Sequence, residues 1–209
     1  MGVPTKRQYN SQSRRKQSEA TRERIVDAAF ELIQEKRYDG MTIQLIAEKA
    51  GVSSPTVYGI FRSKSGILAE LLERASFGQG YDELIRRSRE SQSSEQKLRI
   101  AASIACHIYQ AEGETMNLLS GAGIIRSELE RPMEERECRR FDSQEHVVKF
   151  IHQRKELKTN LKLTKARDIL WSLTSRELFT LHVRKRAWSV GEYEDWLSDA
   201  LVTALLFEK

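Results

Sequence analysis

The chain has 209 residues, 39% of them hydrophobic and 31% charged, with a formal net charge of +5. That apolar fraction supports a packed core and excludes a disordered polypeptide, while only 3 prolines and 11 glycines favour long amphipathic helices over a turn-rich β fold. No window offers the roughly 18 uninterrupted apolar residues of a membrane span, and the N-terminus lacks an apolar signal run, so a cytoplasmic protein with no membrane partner is expected. Cys106 and Cys138 have neither CxxC nor Cys/His spacing, and His146 and His152 do not share a helix face, so no metal and no cofactor is expected.

Residues 1–18 are polar and carry Lys6, Arg7, Arg14, Arg15 and Lys16 with no acid before Glu19, which predicts a flexible basic arm. From Thr21 the pattern changes: Ile25, Ala28, Ala29, Leu32 and Ile33 recur at three- and four-residue steps and define a helix face, ended by Tyr38-Asp39-Gly40. Thr42 is placed to cap a short helix, Ile43 to Ala50, with Met41 and Ile46 at the two positions of a hydrophobic staple. Gly51 then supplies a tight turn and Ser53 caps another short helix whose first turn accommodates Pro55. The pattern is helix, glycine turn, helix within about twenty residues.

After Phe61, Ser63 can cap a longer helix through Ala75 that links two domains. Helical faces return around Tyr81 to Glu90, Gln96 to Gln110 and Glu128 to Leu157, with a Ser93/Gln96 capping box before the second. The alternating charges of Arg126 to Asp142 predict a solvated helix face. Two strongly apolar helices close the chain, Thr164 to about Arg184 and Val190 to Phe207, the latter opened by a Ser189/Glu192 capping box.

In the short helix pair, Val52, Val57, Ile60 and Phe61 can hold the two helices together while Ser53, Ser54, Thr56, Tyr58 and Gly59 face outward. Hydroxyls and free amides at a helix N-terminus suit phosphate oxygens or base edges, and no carboxylate occurs from Gly51 to Gly66. These residues resemble the DNA-binding region of the TetR (tetracycline-repressor-like) family, in Thr42-Ile-Gln-Leu-Ile-Ala-Glu-Lys-Ala-Gly51-Val-Ser53 and then Ser54-Pro-Thr-Val-Tyr58-Gly-Ile-Phe61-Arg-Ser-Lys64. The likeness covers residues 21–75 by motif and the remainder by helix pattern and length. It implies that Thr42 and Gln44 lie near the DNA backbone, Ser53 caps the recognition helix, Ser54, Pro55 and Thr56 approach bases, and Tyr58 and Lys64 contact phosphates. Gly59, on the same face, departs with Ile60 from the usual family pattern of a large polar or aromatic residue after the tyrosine. The basic arm either enters the minor groove or adds nonspecific charge.

The expected architecture is therefore all-α. The arm (1–18) precedes a three-helix DNA-binding domain (19–75) and a C-terminal helical bundle (76–209). The resemblance implies that this bundle binds a small-molecule effector and forms a homodimer through its last two helices. The apolar residues Leu170, Leu173, Leu178, Trp196, Leu201 and Leu205 also argue for a partner, because a chain this small would not readily cover them all by itself. Candidate pocket residues are Cys106, His107, Tyr109, Gln110, Met116, Phe150, Trp171 and Thr174, a mix of apolar and polar side chains. An enzyme would need a nucleophile with its base, paired carboxylates or a cofactor loop, and none is recognisable; a nonspecific architectural DNA binder would not need so large an apolar C-terminal half. The expected function is a transcriptional regulator, a repressor released from double-stranded operator DNA by a small molecule.

Overall fold

The computed structural model describes residues 11–119 and 124–207, and among these the regular structure is helical apart from one isolated antiparallel bridge between Leu157 and Leu206. The chain separates into two compact units, the first running to Leu71 and taking in the described residues 118–119 and 124–125 besides, the second formed by Leu72–Asn117 and Arg126 onward.

Helix α1 spans Ser11–Gly40. Its buried face carries Ile25, Ala29, Leu32 and Ile33, the residues whose spacing predicts it. It begins ten residues ahead of Thr21, so the part of the expected arm from Ser11 onward is helical. Those first turns are exposed and hold themselves by local means: Arg15 pairs with Glu19 at 3.1 Å, one turn on, and Thr21 Oγ1 donates to the Gln17 carbonyl at 2.8 Å. A helix stabilised along an exposed face has no apolar period to announce it. Residues 1–10, with Lys6 and Arg7, lie outside the described set.

Helix α2 (Ile43–Ala50) packs on α1 and on α3 (Ser54–Phe61). Thr42 caps α2 by accepting from the Leu45 N–H, and both staple residues, Met41 and Ile46, are fully buried. Burying a side chain such as Ile46 stabilises the unit by about 1.5–3 kcal/mol. Gly51 ends α2 in the left-handed region at φ 65°, where its N–H reaches the carbonyls of Ala47 and Glu48. Helix α4 (Lys64–Ser76) follows, with Ser63 Oγ accepting from the Gly66 N–H at 3.1 Å. Gly66 has no substitute there, because a Cβ would collide with the Phe61 carbonyl oxygen.

The second unit contains α5 (Gln79–Glu90), all but the end of α6 (Ser94–Leu119), all but the start of α7 (Ile124–Ser143), α8 (Glu145–Gln153), α9 (Leu163–Leu173), α10 (Arg176–Phe179) and α11 (Val190–Leu205). Its core gathers Leu98, Ala102 and Tyr109 of α6, Val148 and Ile151 of α8, Leu170 of α9, and Tyr193, Leu197, Leu201 and Leu205 of α11. Three expectations change here. The helix expected over Glu128 to Leu157 divides at Gln144 into α7 and α8. The one expected over Thr164 to Arg184 breaks at Thr174, restarts with Ser175 capping the Leu178 N–H, and continues from α10 into a π-helical stretch, Thr180–Lys185. At α6, Ser93 Oγ does accept from the Gln96 N–H, but the Gln96 side chain accepts from Ser91 Oγ at 2.8 Å instead of closing the box. The Ser189/Glu192 box of α11 is complete.

The apolar argument for a partner is weaker than the pattern suggests. Leu170, Leu201 and Leu205 are fully buried within the chain, and Leu173, Leu178 and Trp196 are half-buried. Helices that cross at α9, α11 and the α8 contact cover more of each stripe than a linear count allows for. The large apolar groups left exposed in this part of the chain are Trp171, Leu181 and Phe207.

Candidate functional site

Two places in the molecule gather chemistry, one in each unit. In the first, α3 has one buried edge, Val57 and Phe61, and an opposite edge that meets solvent. Ser53 caps the helix, its Oγ accepting from the Thr56 N–H and lying 2.8 Å from Thr56 Oγ1. Pro55 fills the first turn, where a missing N–H costs nothing. Tyr58 is 54% exposed, Gly59 is exposed with open space where a Cβ would stand, and Ser54 and Thr56 are partly exposed. Thr42 and Gln44 are both exposed at the start of α2. These residues thus lie on two neighbouring helices, the exposed edge of α3 and the N-terminal turn of α2.

Lys64 sits differently. Its Nζ donates to the Tyr38 carbonyl at 2.8 Å and lies 3.7 Å from the centre of the Tyr38 ring, tying the start of α4 to the end of α1. Nearby, Arg22 forms a two-pronged pair with Glu70 at 3.1 and 2.5 Å, and its guanidinium lies over the Phe61 ring at 4.9 Å. The end of α3 is therefore clamped to α1 from outside as well as from the core.

The second place is a cavity of about 270 Å³ in the second unit. One wall is apolar, built from Ile104, Ala105 and Ile108 of α6 together with Phe77, Tyr81 and Ile85. The other is cationic: Arg136, Arg139 and Arg140 of α7 line it, joined by Arg176 of α10. Thr174 holds the join. Its Oγ1 accepts from Arg140 Nη1 and Gln144 Nε2, both at 2.8 Å, and donates to the Leu170 carbonyl at 2.7 Å. Arg140 also donates to the carbonyls of Trp171 and Thr174, capping the end of α9. The Tyr109 hydroxyl donates to the Thr174 carbonyl at 3.0 Å, and burial pushes that phenol well above its ordinary range.

Behind the cationic wall, Glu112 is almost wholly buried and shared by two arginines. Arg136 Nη1 lies 2.5 Å from one carboxylate oxygen and Arg176 Nη1 sits against the other, as close ion pairs outside hydrogen-bond angles. Burial lowers the Arg136 pKa, with the neighbouring Arg176 adding to this and Glu112 opposing it.

Of the eight residues expected to form a pocket, Tyr109 and Thr174 line this cavity. Cys106 is buried in the core with its thiol pushed up to about 12, His107 packs beside Gly80, and Gln110 is exposed. Phe150 lies under the Lys97 ammonium at 4.5 Å, and Trp171 meets Phe141 edge-on at 6.0 Å. The Met116 side chain is outside the described set. The arginines and Glu112 were missed, because the charged run of α7 was expected to be a solvated face. Half of that expectation holds, since Arg131 and Glu135 form an exposed pair; Arg136 and Arg140, one turn apart, turn inward. The legible hint was Glu112, an acid three residues after Tyr109 on the buried side of α6. Among the described residues, no group of three or more His, Cys, Asp or Glu side chains is placed to hold a metal, and no helix is long and apolar enough to cross a membrane.

Comparison with known proteins agrees with this layout. Residues 25–71 match the family model of bacterial regulatory proteins, tetR family. The chain is similar to the HTH-type transcriptional regulator YvkB of Bacillus subtilis, 42% identical over 60 residues that make up 29% of this chain and 32% of YvkB. It is also similar to YdeS of the same organism, 27% identical over 159 residues, 75% of this chain and 77% of YdeS. The match therefore spans about a third of one relative and about three quarters of the other. In three dimensions the chain is similar to NalD, the secondary repressor of the MexAB-OprM multidrug efflux pump in Pseudomonas aeruginosa, with a TM-score of 0.59, 22% identity, and coverage of 92% of this chain and 98% of NalD. That likeness establishes a shared fold: an N-terminal helix-turn-helix unit followed by a helical C-terminal unit. The helix-turn-helix of residues 25–71 is thus similar to that of the bacterial regulatory proteins of the tetR family.

Proposed function

We propose that this protein is a transcriptional repressor that binds operator DNA through α2 and α3 and leaves it when a small molecule occupies the cavity lined by α6 and α7. The observation that carries the reading is the exposed edge of α3, which offers hydroxyls and one phenol, with no carboxylate from Gly51 to Gly66. On this reading residues 19–75 are the DNA-binding domain and 76–209 the ligand-binding and dimerising domain. Ser54, Pro55 and Thr56 face base edges, with Gly59 on the same DNA-facing side, Ser53 orients the helix, and Thr42, Gln44, Tyr58 and Lys64 meet the backbone. Repression, as opposed to activation, is supported by NalD being described as a repressor. The names of the relatives are those of regulators, and no enzymatic activity is proposed.

The protein acts as a homodimer through the last two helical segments, the one from α9 through the π-helical stretch and α11, a role supported by the exposed Trp171 and Leu181 and the half-buried Trp196. Two recognition helices would then stand about 34–36 Å apart, or a multiple of it, on an imperfect palindrome. Ligand and operator weaken one another by the same factor, as linkage requires. Footprinting the protein on DNA flanking its own gene tests the reading. Protection of two symmetric half-sites is expected, whereas equal affinity for all duplexes would replace the repressor with an architectural binder. Sedimentation as a stable monomer at micromolar concentration would remove the dimer.

A further inference from the structure

Resting on the reading of the cavity as an effector site, we infer that the effector is a compact amphipathic anion, an apolar body bearing one carboxylate or phosphate group that seats against Arg136. The cavity has two chemically different walls. Its apolar side, Ile104, Ala105 and Ile108 with Phe77 and Tyr81, offers a ligand dispersion contacts and no charge. Its other side carries four guanidinium groups, against which stand three carboxylates: Glu137 in the lining, and Glu112 and Glu73 behind it. His146 also lines the cavity and adds no negative charge.

The arginines are not equivalent. Arg140 spends its donors on the end of α9 and on Glu137, and Arg139 pairs outward with Glu73. Arg136 shares the Glu112 carboxylate with Arg176 and retains Nη2 as a buried N–H donor with no acceptor. A second lining residue, Gln144, has its Oε1 buried and unpaired while its Nε2 is committed to Thr174; that oxygen would be met by a hydroxyl or N–H on the ligand and not by the oxyanion itself. An unpaired donor on a buried cation is costly, and an incoming oxyanion would satisfy it with a charge-assisted bond in a site of reduced dielectric. A neutral acceptor such as an amide carbonyl could meet the same donor, but without the charge-assisted part of the bond. The volume, about 270 Å³, lies at the low end for ligand pockets and restricts the body to a ring system or short chain.

The experiment is calorimetric titration of the full-length protein, without DNA, with 1-naphthoate, 1-naphthyl phosphate, neutral 1-naphthamide and inorganic phosphate. The naphthyl anions should bind at least about tenfold more tightly than the amide. Their relative affinities distinguish a carboxylate from a phosphate-ester preference. Inorganic phosphate, which lacks the body, should bind more weakly than either. Arg136→Gln should abolish the preference for anions while retaining amide binding. Should that variant not fold, Arg139→Gln, on an exposed side chain, should retain the preference, and wild-type discrimination remains the deciding measurement. Equal or tighter binding of the amide, no saturation by either anion at millimolar concentration, or phosphate binding as tightly as naphthoate would each overturn the inference. Operator release, read separately, distinguishes the two levels. An anion that binds without releasing operator leaves the ligand class standing and removes the repressor mechanism; a neutral compound that releases operator does the reverse.

Discussion

The exposed edge of α3 and the cavity handle polar groups in opposite ways. On α3, the hydroxyls and the phenol are exposed and locally organised, and what positions them is a cap, a proline and two buried residues. In the cavity the groups that build the wall, Glu112, Arg136, Arg140 and Thr174, are buried or half-buried and tied across helices: Glu112 of α6 by arginines of α7 and α10, Thr174 by Arg140 and Gln144. A surface that meets a partner as large as DNA can be built from local rules. An enclosed site has to be built by long-range pairing, because every buried charge needs a counter-charge.

Removing that counter-charge should give the largest effect. Glu112→Gln deprives Arg136 and Arg176 of their shared carboxylate and should destabilise the protein by about 3 kcal/mol, the lower end for a broken buried pair because Arg176 keeps some solvent. Urea unfolding measures it, and a change under about 0.5 kcal/mol, the range of an ordinary surface substitution, would mean that the buried pairs are not what holds this wall.

Next in size is the exposed edge of α3. Replacing Thr56 with valine should shift the base preferred within each half-site and cost about 1–3 kcal/mol of binding to the native sequence. Selection of binding sites from a random pool decides this. An unchanged selected sequence with weaker binding throughout would make Thr56 another backbone anchor.

Lys64 sharpens the comparison, since its ammonium serves the fold through Tyr38 and is also proposed to meet the DNA backbone. Lys64→Ala should cost about 1 kcal/mol of stability and lower the salt dependence of DNA binding by about one unit, equally on specific and nonspecific duplexes. Lost stability with an unchanged salt slope would make Lys64 a strut of the first unit alone. Tyr58→Phe should do less: both kinds of duplex bind more weakly, the salt slope is unchanged because the lost hydroxyl carries no charge, and stability holds because the ring is exposed. A changed slope would contradict that assignment.

The smallest effect is on reactivity. Burial holds the Cys106 thiol up to about 12, whereas Cys138 is exposed. Iodoacetamide at pH 8 should therefore label Cys138 in the native protein and reach Cys106 only after denaturation, as mass spectrometry of the digested protein would show. Native labelling of Cys106 would mean that the core of the second unit opens.

What could be read from the linear order of residues was what neighbours along the chain determine. The Thr42 and Ser53 caps, the Gly51 turn, the Met41/Ile46 staple and the Ser189/Glu192 box each involve residues within five positions of one another, and all appear as expected. The apolar face of α1 was legible for the same reason, while its exposed first turns were not, because ion pairs leave no apolar period. Tertiary structure alone decided which members of a charged run face inward. Arg131 and Arg136 stand in the same run of α7, but only the second meets a buried acid, contributed by a helix more than twenty residues away in sequence. It also decided that Leu170, Leu201 and Leu205 are covered within one chain and that Thr174 interrupts a helix to join two walls of a cavity. Burial and charge pairing depend on which helices cross, and that is a property of the packed chain, with no local signature in the residues themselves.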